Sequence, residues 1–405
     1  MKSLVSKSNT PKYYAVFILM ALVPQIFGFN VSIWGDIWKI GVLLWFCLLI
    51  LRKNKGRSSY TGMYFLVFFL LINVICILAD SNISFNTIIN FGISVLLVYL
   101  FFESPIREKN ITENDVLLFF RFFAIFMLIS CVYNMIVNFR QLLNIASISV
   151  YSSDVTASFF DNKNTFGVFL IFGAISAAFL KVVDKNSKWL IVLAIFIVNE
   201  LISMCRTAII LTIFFLLVSF LVGDKRTLKK RIFALIILIT AAIVLYCFVS
   251  PIRNFIDNNL FANTDSLDVR DGYIERMLPL ADGIYLFIGY GEERSLLLAY
   301  EYAGNRYYHN TYLHLLMMGG LLKIVLFSIT VLYAFYNSFK LCRLNRKAGY
   351  MCIATIVAYL VYASIESVIL FDTPVIAMLA TIFVVSIPRL FLNAALNKNK
   401  EERNE

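Results

Sequence analysis

Charge is scarce in this sequence. Only 15% of the 405 residues are charged, against 60% hydrophobic and a mean hydropathy of +0.80. A soluble domain carries about 25% charged residues, so this balance excludes a soluble enzyme, a disordered chain and a DNA-binding module. Histidine is scarcer still, with two in the whole chain. Cysteine is present seven times but never in a CxxC spacing, and most of the seven lie in or against apolar runs. Buried Cys packs as a small hydrophobe, so neither a disulfide framework nor a metal site is read from them. No A-x-A-like cleavage site follows the first apolar run, and the two halves show no internal repeat. Acidic residues are also outnumbered, 25 against 36 Lys and Arg, for a formal charge of +11. In a soluble protein that excess would point to nucleic acid. In a chain this apolar it marks sidedness instead, because cytoplasmic loops accumulate Lys and Arg, and no nucleic-acid partner is expected.

What is abundant is apolar sequence in long runs. At about 20 residues per spanning helix, the hydrophobic content matches about 12 helices, predicting an all-α polytopic membrane protein. The runs fall at 14–30, 36–51, 62–79, 87–102, 116–138, 164–180, 189–204, 207–223, 232–250, 310–338, 349–371 and 374–394. The stretch 189–223 reads as two helices with a tight reversal at Arg206, since a single helix of that length would overshoot a bilayer. With both termini in the cytoplasm, the inside segments hold 24 Lys and Arg and the outside segments eight. The chain reads as one integral membrane domain, 1–405, with one large external loop at 251–308. That loop carries an expected amphipathic helix in 266–281, its apolar face formed by Leu267, Ile274, Met277 and Leu278.

The split by residue type is more informative than the count. Inside, 16 of the 24 positives are Lys; outside, seven of eight are Arg, namely Arg140, Arg206, Arg253, Arg270, Arg276, Arg294 and Arg306, with Lys163 the exception. Arg offers a planar five-donor fork that matches phosphate and carboxylate. The set therefore suggests an anionic ligand at the outer face, while any single Arg can equally pair with a loop carboxylate such as Asp265, Asp268, Asp271, Glu275, Glu292, Glu293 or Glu301.

Candidate chemistry gathers near the ends of apolar runs. His309 and His314 are five residues apart, about 140° round a helix, so they do not share a face and a two-His metal site is not expected. His309, beside Asn310 and Tyr312, is either a general base or one member of an interfacial aromatic belt. Arg206 sits between two apolar runs, where a charge is costly without a cavity or partner. Asn162, Lys163 and Asn164 enter the run at 164–180, either as a helix cap or as a sugar- or phosphate-binding helix start. Gly289-Tyr290-Gly291 is a potassium-filter tripeptide, but twelve spans fit a fourfold pore poorly and a turn is the expected role. Gly319-Gly320 suits close helix packing. Asp265, Asp268 and Asp271 read as capping and Arg-pairing residues rather than metal ligands. Glu200 and Glu366 stand inside apolar runs as partners for Arg or for sugar hydroxyls.

Taken in order, these segments resemble the O-antigen polymerase and O-antigen ligase superfamily of bacterial envelope glycosyltransferases. The resemblance is carried by Phe160-Asp-Asn-Lys-Asn-Thr-Phe-Gly167, Ser203-Met-Cys-Arg206-Thr-Ala208, Val269-Arg270-Asp-Gly-Tyr273, Gly289-Tyr-Gly291 and His309-Asn-Thr-Tyr-Leu-His-Leu-Leu-Met-Met-Gly-Gly320. It covers about residues 155–335. It implies a metal-independent fold of the GT-C kind in the cytoplasmic (inner) membrane, needing no cofactor and working at the periplasmic face. The implied donor is a glycan on undecaprenyl diphosphate. The acceptor is a second lipid-linked repeat unit, as in a Wzy-type polymerase, or a lipid A–core sugar, as in a ligase. Matched position by position, Arg206 and Arg270 would hold the diphosphate and His309 would be the catalytic histidine. Asn162, Lys163, Asn164, Arg276, Arg294, Arg306, Asn310 and Tyr312 would line the substrate site. A chain-length regulator is a partner implied by the polymerases alone. The sequence departs from many relatives at Cys205, where Ser is usual, and at Lys163, where Pro often stands. The polymerase is the favoured reading, with the ligase second. A flippase for lipid-linked oligosaccharide is third, weakened by the missing repeat and by motifs confined to one face.

Overall fold

The computed structural model describes residues 10–26, 40–45, 47–48, 59–81, 83–108, 110–140, 157–160, 162–221, 225–259 and 272–404. Among these residues every regular element is helical. The principal helices are α1 (Thr10–Ile26), α2 (Tyr60–Ala79), α3 (Phe85–Arg107), α4 (Glu113–Val137), α5 (Lys163–Val182), α6 (Lys188–Ser203) and α7 (Arg206–Leu221). They continue as α8 (Lys225–Phe248), α9 (Ser250–Asn259), α10 (Glu292–Ala303), α11 (Thr311–Leu344), α12 (Arg346–Ile365) and α13 (Val375–Arg403).

Among the described residues eight helices are long and apolar enough to cross a membrane: α2, α3, α4, α5, most of α8, α11, α12 and α13. Thr10–Leu22 and Arg206–Leu221 are shorter apolar helices. The chain is thus an all-α polytopic membrane protein. The expected run 189–204 is the sixteen-residue α6, and the run 36–51 is described only in part. The reversal between α6 and α7 takes two residues, Met204 in the left-handed conformation (φ 50°) and Cys205.

Helix α5 runs through the middle of the bundle, with every residue from Phe166 to Leu180 buried. Lipid offers no hydrophobic drive between helices, so association rests on close packing. Here aromatic rings supply it: Phe120 stacks on Phe179 at 4.5 Å, and Phe172 meets Phe383 at 4.9 Å. Gly173 leaves room for Met127 and Phe196.

The segment between α9 and α11 is held on the bundle by one device that joins two glycine motifs. Helix α11 breaks at Gly319 and Gly320, whose backbone angles are not helical. Into that break fits the Gly289-Tyr290-Gly291 turn: Tyr290 N–H donates to the Met317 carbonyl (2.8 Å) and Gly291 N–H to that of Met318 (3.0 Å). A Cβ on Gly289 would lie 2.3 Å from the Gly319 nitrogen, and one on Gly320 would lie 2.3 Å from the Phe287 carbonyl carbon. Both glycines also have positive φ, 66° and 59°, which L side chains rarely adopt. The tripeptide is therefore a docking turn, and the glycine pair is its receptor.

Helix α10 is fastened beside it. The Asp80 carboxylate accepts from the Glu293 N–H (2.9 Å), Ser84 Oγ donates to Glu293 Oε1 (2.8 Å), and Asn90 Nδ2 donates to Glu292 Oε1 (3.1 Å). Tyr308 completes the attachment through its hydroxyl to the Ser295 carbonyl (2.6 Å). Of the expected amphipathic helix, residues 272–277 are helical and then tighten into a 3-10 turn, Leu278–Leu280. Its buried residues are Tyr273 and Met277, clustered with Leu298, Ala299 and Tyr308, whereas Ile274 and Leu278 are exposed. Leu267, Asp265, Asp268 and Asp271 lie outside the described residues.

Candidate active site

At one end of the bundle the chain reverses repeatedly, and the reversals carry the chemistry. His309 precedes α11 with φ 48°, a left-handed conformation that His tolerates better than most residues. Asn310 then caps the helix, its Oδ1 accepting from the Leu313 N–H (2.9 Å) while its Nδ2 donates to the Ser364 carbonyl (3.2 Å). On the facing side α12 ends at Ile365, and Glu366 is extended. Its carboxylate meets the imidazole: His309 Nδ1 to Glu366 Oε2 is 3.2 Å. Thr311 ties the two strands of this corner, its hydroxyl donating to the Glu366 carbonyl and accepting from the Val368 N–H, both at 2.8 Å. The His309 and Glu366 side chains are 32% and 29% exposed, so the pair is held by scaffold yet reachable.

Arg206 is the first residue of α7. The turn before it packs tightly on α5: a Cβ on Gly167 would sit 2.5 Å from Cys205 Sγ. Cys205 lies within electrostatic range of Lys163, Glu200 and Glu366, and Lys163 within range of Arg206. Helix α7 packs against both α5 and α12. These neighbours place Lys163, Arg206, Glu366 and His309 at one end of the bundle. The N-termini of α5, α7 and α11 begin there as well, so their positive dipole ends add to the two cations. Such a site favours an anion beside a polarised imidazole.

The other sequence candidates take varied places. Asn162 caps α5 through its side chain to the Thr165 N–H (2.8 Å), and Asn164 is exposed on the next turn. Tyr312 donates its hydroxyl to the Leu360 carbonyl (2.9 Å) within the bundle. Arg294 pairs with Glu301 at 3.5 Å, and Arg306 lies over the Tyr300 ring at 5.9 Å. Arg276 is exposed on the short helical stretch after residue 271. Arg270 lies outside the described residues. Among the described residues no three His, Cys, Asp or Glu side chains group closely enough to hold a metal ion.

Two features were not legible as site components. Glu366 is visible in sequence as a carboxylate in an apolar run, but nothing there pairs it with His309, 57 positions away. A buried amide network also supports this end: Asn134 Nδ2 donates to Asn199 Oδ1 (3.0 Å), and Asn134 Oδ1 accepts from the Ser158 N–H (3.1 Å). That network fixes residues 157–160 just before α5.

Comparison with known proteins finds a family match that spans part of the chain. Residues 189–328 match a family model described as O-antigen ligase. No curated protein matches the chain. The matched segment contains Arg206, Arg270, the Gly289–Gly291 turn, His309 and the Gly319-Gly320 break. This segment, the motif-bearing part of the bundle, is where the chain is similar to the O-antigen ligase family.

Proposed function

We propose that the chain is a lipid-diphosphate-dependent glycosyltransferase of the GT-C kind that polymerises oligosaccharide repeat units at the outer face of the cytoplasmic membrane. The observation that carries this reading is the His309–Glu366 pair, set at the same end of the bundle as Arg206 and Lys163. The acceptor hydroxyl oxygen attacks the anomeric carbon of the donor glycan. Its proton passes to Nε2 of His309 while Glu366, on Nδ1, orients the ring and stabilises the imidazolium that forms. The bond from the anomeric carbon to the diphosphate oxygen breaks, and undecaprenyl diphosphate leaves with the electron pair. Negative charge grows on that leaving group, where Arg206, Arg270 and Lys163 stabilise it. Attack from the face opposite the diphosphate inverts the anomeric configuration. No nucleotide sugar is consumed, because the energy is stored in the lipid diphosphate. The excess of Lys and Arg in alternate loops supports cytoplasmic termini and an outward-facing site.

The family description favours a second reading, transfer to a lipid A–core sugar. Both reactions use the same donor and the same groups, so the acceptor alone separates them. Purified protein is given a lipid-linked repeat unit, then the same donor with a lipid A–core acceptor, without added metal or nucleotide. The polymerase reading expects a ladder of lengthened lipid-linked glycan from the first mixture. Product only in the second mixture assigns the ligase. Movement of the lipid across a vesicle bilayer with no new glycosidic bond contradicts both.

A further inference from the structure

Beside the first turns of α11 the bundle holds a second polar group that the transfer mechanism does not use. A cavity of about 100 Å³ lies between α2, α3, α11 and the 369–372 segment, with α10 over it. Its walls include Asn73, Asn90, Glu292, His314, Lys323 and Asp372, between phenylalanine rings. Ionisable residues within the spanning helices of a membrane protein mark a functional site by default. Several of these groups are already ordered: Lys323 Nζ donates to Asn73 Oδ1, and Asn90 Nδ2 to Glu292 Oε1 at 3.1 Å. His314 is fixed by stacking on Tyr308 (4.7 Å) and by Ser367 Oγ at its Nδ1 (2.6 Å). Its buried Nε2 has no hydrogen-bond partner among the described residues.

An unpartnered buried ring nitrogen costs free energy unless a ligand or water meets it. The walls alternate carboxylate acceptors with amide, ammonium and imidazole groups, and apolar rings separate them. A cation has little to gain here, because the Lys323 ammonium already stands among the carboxylates and the Asn73 oxygen. Burial, and then repulsion from Asp372, pushes the Glu292 carboxyl up to about 7, which keeps the net charge of the cavity low. An uncharged ligand bearing several hydroxyls fits both properties. The cavity volume corresponds to about three water molecules at roughly 30 Å³ each, the space of the hydroxyl edge of one sugar ring.

We propose that this cavity is a sugar-hydroxyl subsite that holds one non-reacting residue of the glycan substrate beside the transfer site. Glu366 and Ser367, neighbours in the chain, contact His309 and His314 respectively. Occupancy of the cavity therefore sits one residue away from the catalytic imidazole's partner. The substrate class rests on the glycosyltransferase reading, but binding is measurable apart from transfer.

The test uses full-length protein in detergent and, as probe, the soluble oligosaccharide released by mild acid from the organism's lipid-linked repeat unit. Saturation-transfer NMR is expected to show binding to the wild-type protein and to His309→Ala, with at least fivefold loss in Glu292→Gln and in Asn90→Ala. In the transfer assay the same two cavity variants are expected to raise KM about tenfold while kcat stays within twofold, with a cooperative thermal transition showing that each variant is folded. Unaltered oligosaccharide binding in both cavity variants overturns the subsite. So does stabilisation of the cavity by sodium but not by the oligosaccharide, or an absence of any oligosaccharide signal. Failure of the glycosyltransferase reading looks different: no transfer product from wild-type protein, or full transfer by His309→Ala.

Discussion

The two histidines of this chain stand five residues apart in opposite surroundings. His309 lies outside the helix, left-handed, a third exposed and held by a carboxylate. His314 lies inside it, stacked on Tyr308 and held by a hydroxyl, with Nε2 closed off from solvent. A carboxylate partner stabilises an imidazolium, and exposure lets a substrate proton reach the ring. A hydroxyl partner on a buried ring stabilises no such charge. The same residue type is thereby suited to proton transfer in one place and to hydrogen-bond recognition in the other. The difference comes from two consecutive residues, Glu366 and Ser367.

Replacing the groups at the exposed end tests this division most severely. His309→Ala is expected to lower kcat by about 10²–10⁴-fold, the usual contribution of a general base. Arg206→Ala is expected to cost about 10²–10³-fold through lost charge stabilisation. Both are read in steady-state transfer of a lipid-linked repeat. Glu366→Gln keeps the geometry but removes the charge that supports the imidazolium. It is expected to lower kcat about 10–10²-fold with little change in donor KM.

The docking turn joins the two regions and is sensitive in another way. Gly289→Ala and Gly320→Ala each combine positive-φ strain, about 1–3 kcal/mol, with a backbone collision at 2.3 Å. Thermal unfolding should register both as strongly destabilising. Gly304→Ala has similar φ, 74°, but open space around it, so only the strain is expected there.

Acidity sharpens the comparison further. The Glu292 carboxyl is raised from 4.5 to about 7, so it binds its proton more tightly folded than unfolded. Stability from this group is complete below about 4.5 and is lost as pH rises through about 7. Thermal midpoints of the wild-type protein should fall across that window, whereas Glu292→Gln should show a shallower slope. The smallest effects belong to Arg294→Ala and Arg306→Ala, which have local partners in Glu301 and Tyr300. Exposed pairs of this kind are worth about 0–1 kcal/mol, so transfer rates should stay within roughly threefold.

Much of the fold is legible in sequence because the bilayer requires long apolar helices, and charges mark their ends. The reversal at Arg206 and the turn role of Gly289–Gly291 follow from local chemistry. Other features depend on partners far along the chain. The Gly319-Gly320 pair reads as a helix-packing motif, but its occupant is a turn some thirty residues earlier. The loop helix buries Tyr273 and Met277 against Tyr308 and Leu298 and leaves Ile274 and Leu278 exposed, a division that depends on partners outside the helix. The cavity groups Asn73, Asn90, Glu292, Lys323 and Asp372 come from five separate segments. No spacing rule links them.

The central claim is that His309 and Glu366 act as one unit in removing the acceptor proton. A double-mutant cycle in kcat, using His309→Ala, Glu366→Gln and the combined variant, tests it most directly. If the carboxylate works only through the imidazole, the double variant is no slower than His309→Ala alone. If the two losses multiply, Glu366 acts independently of His309 and the account is contradicted.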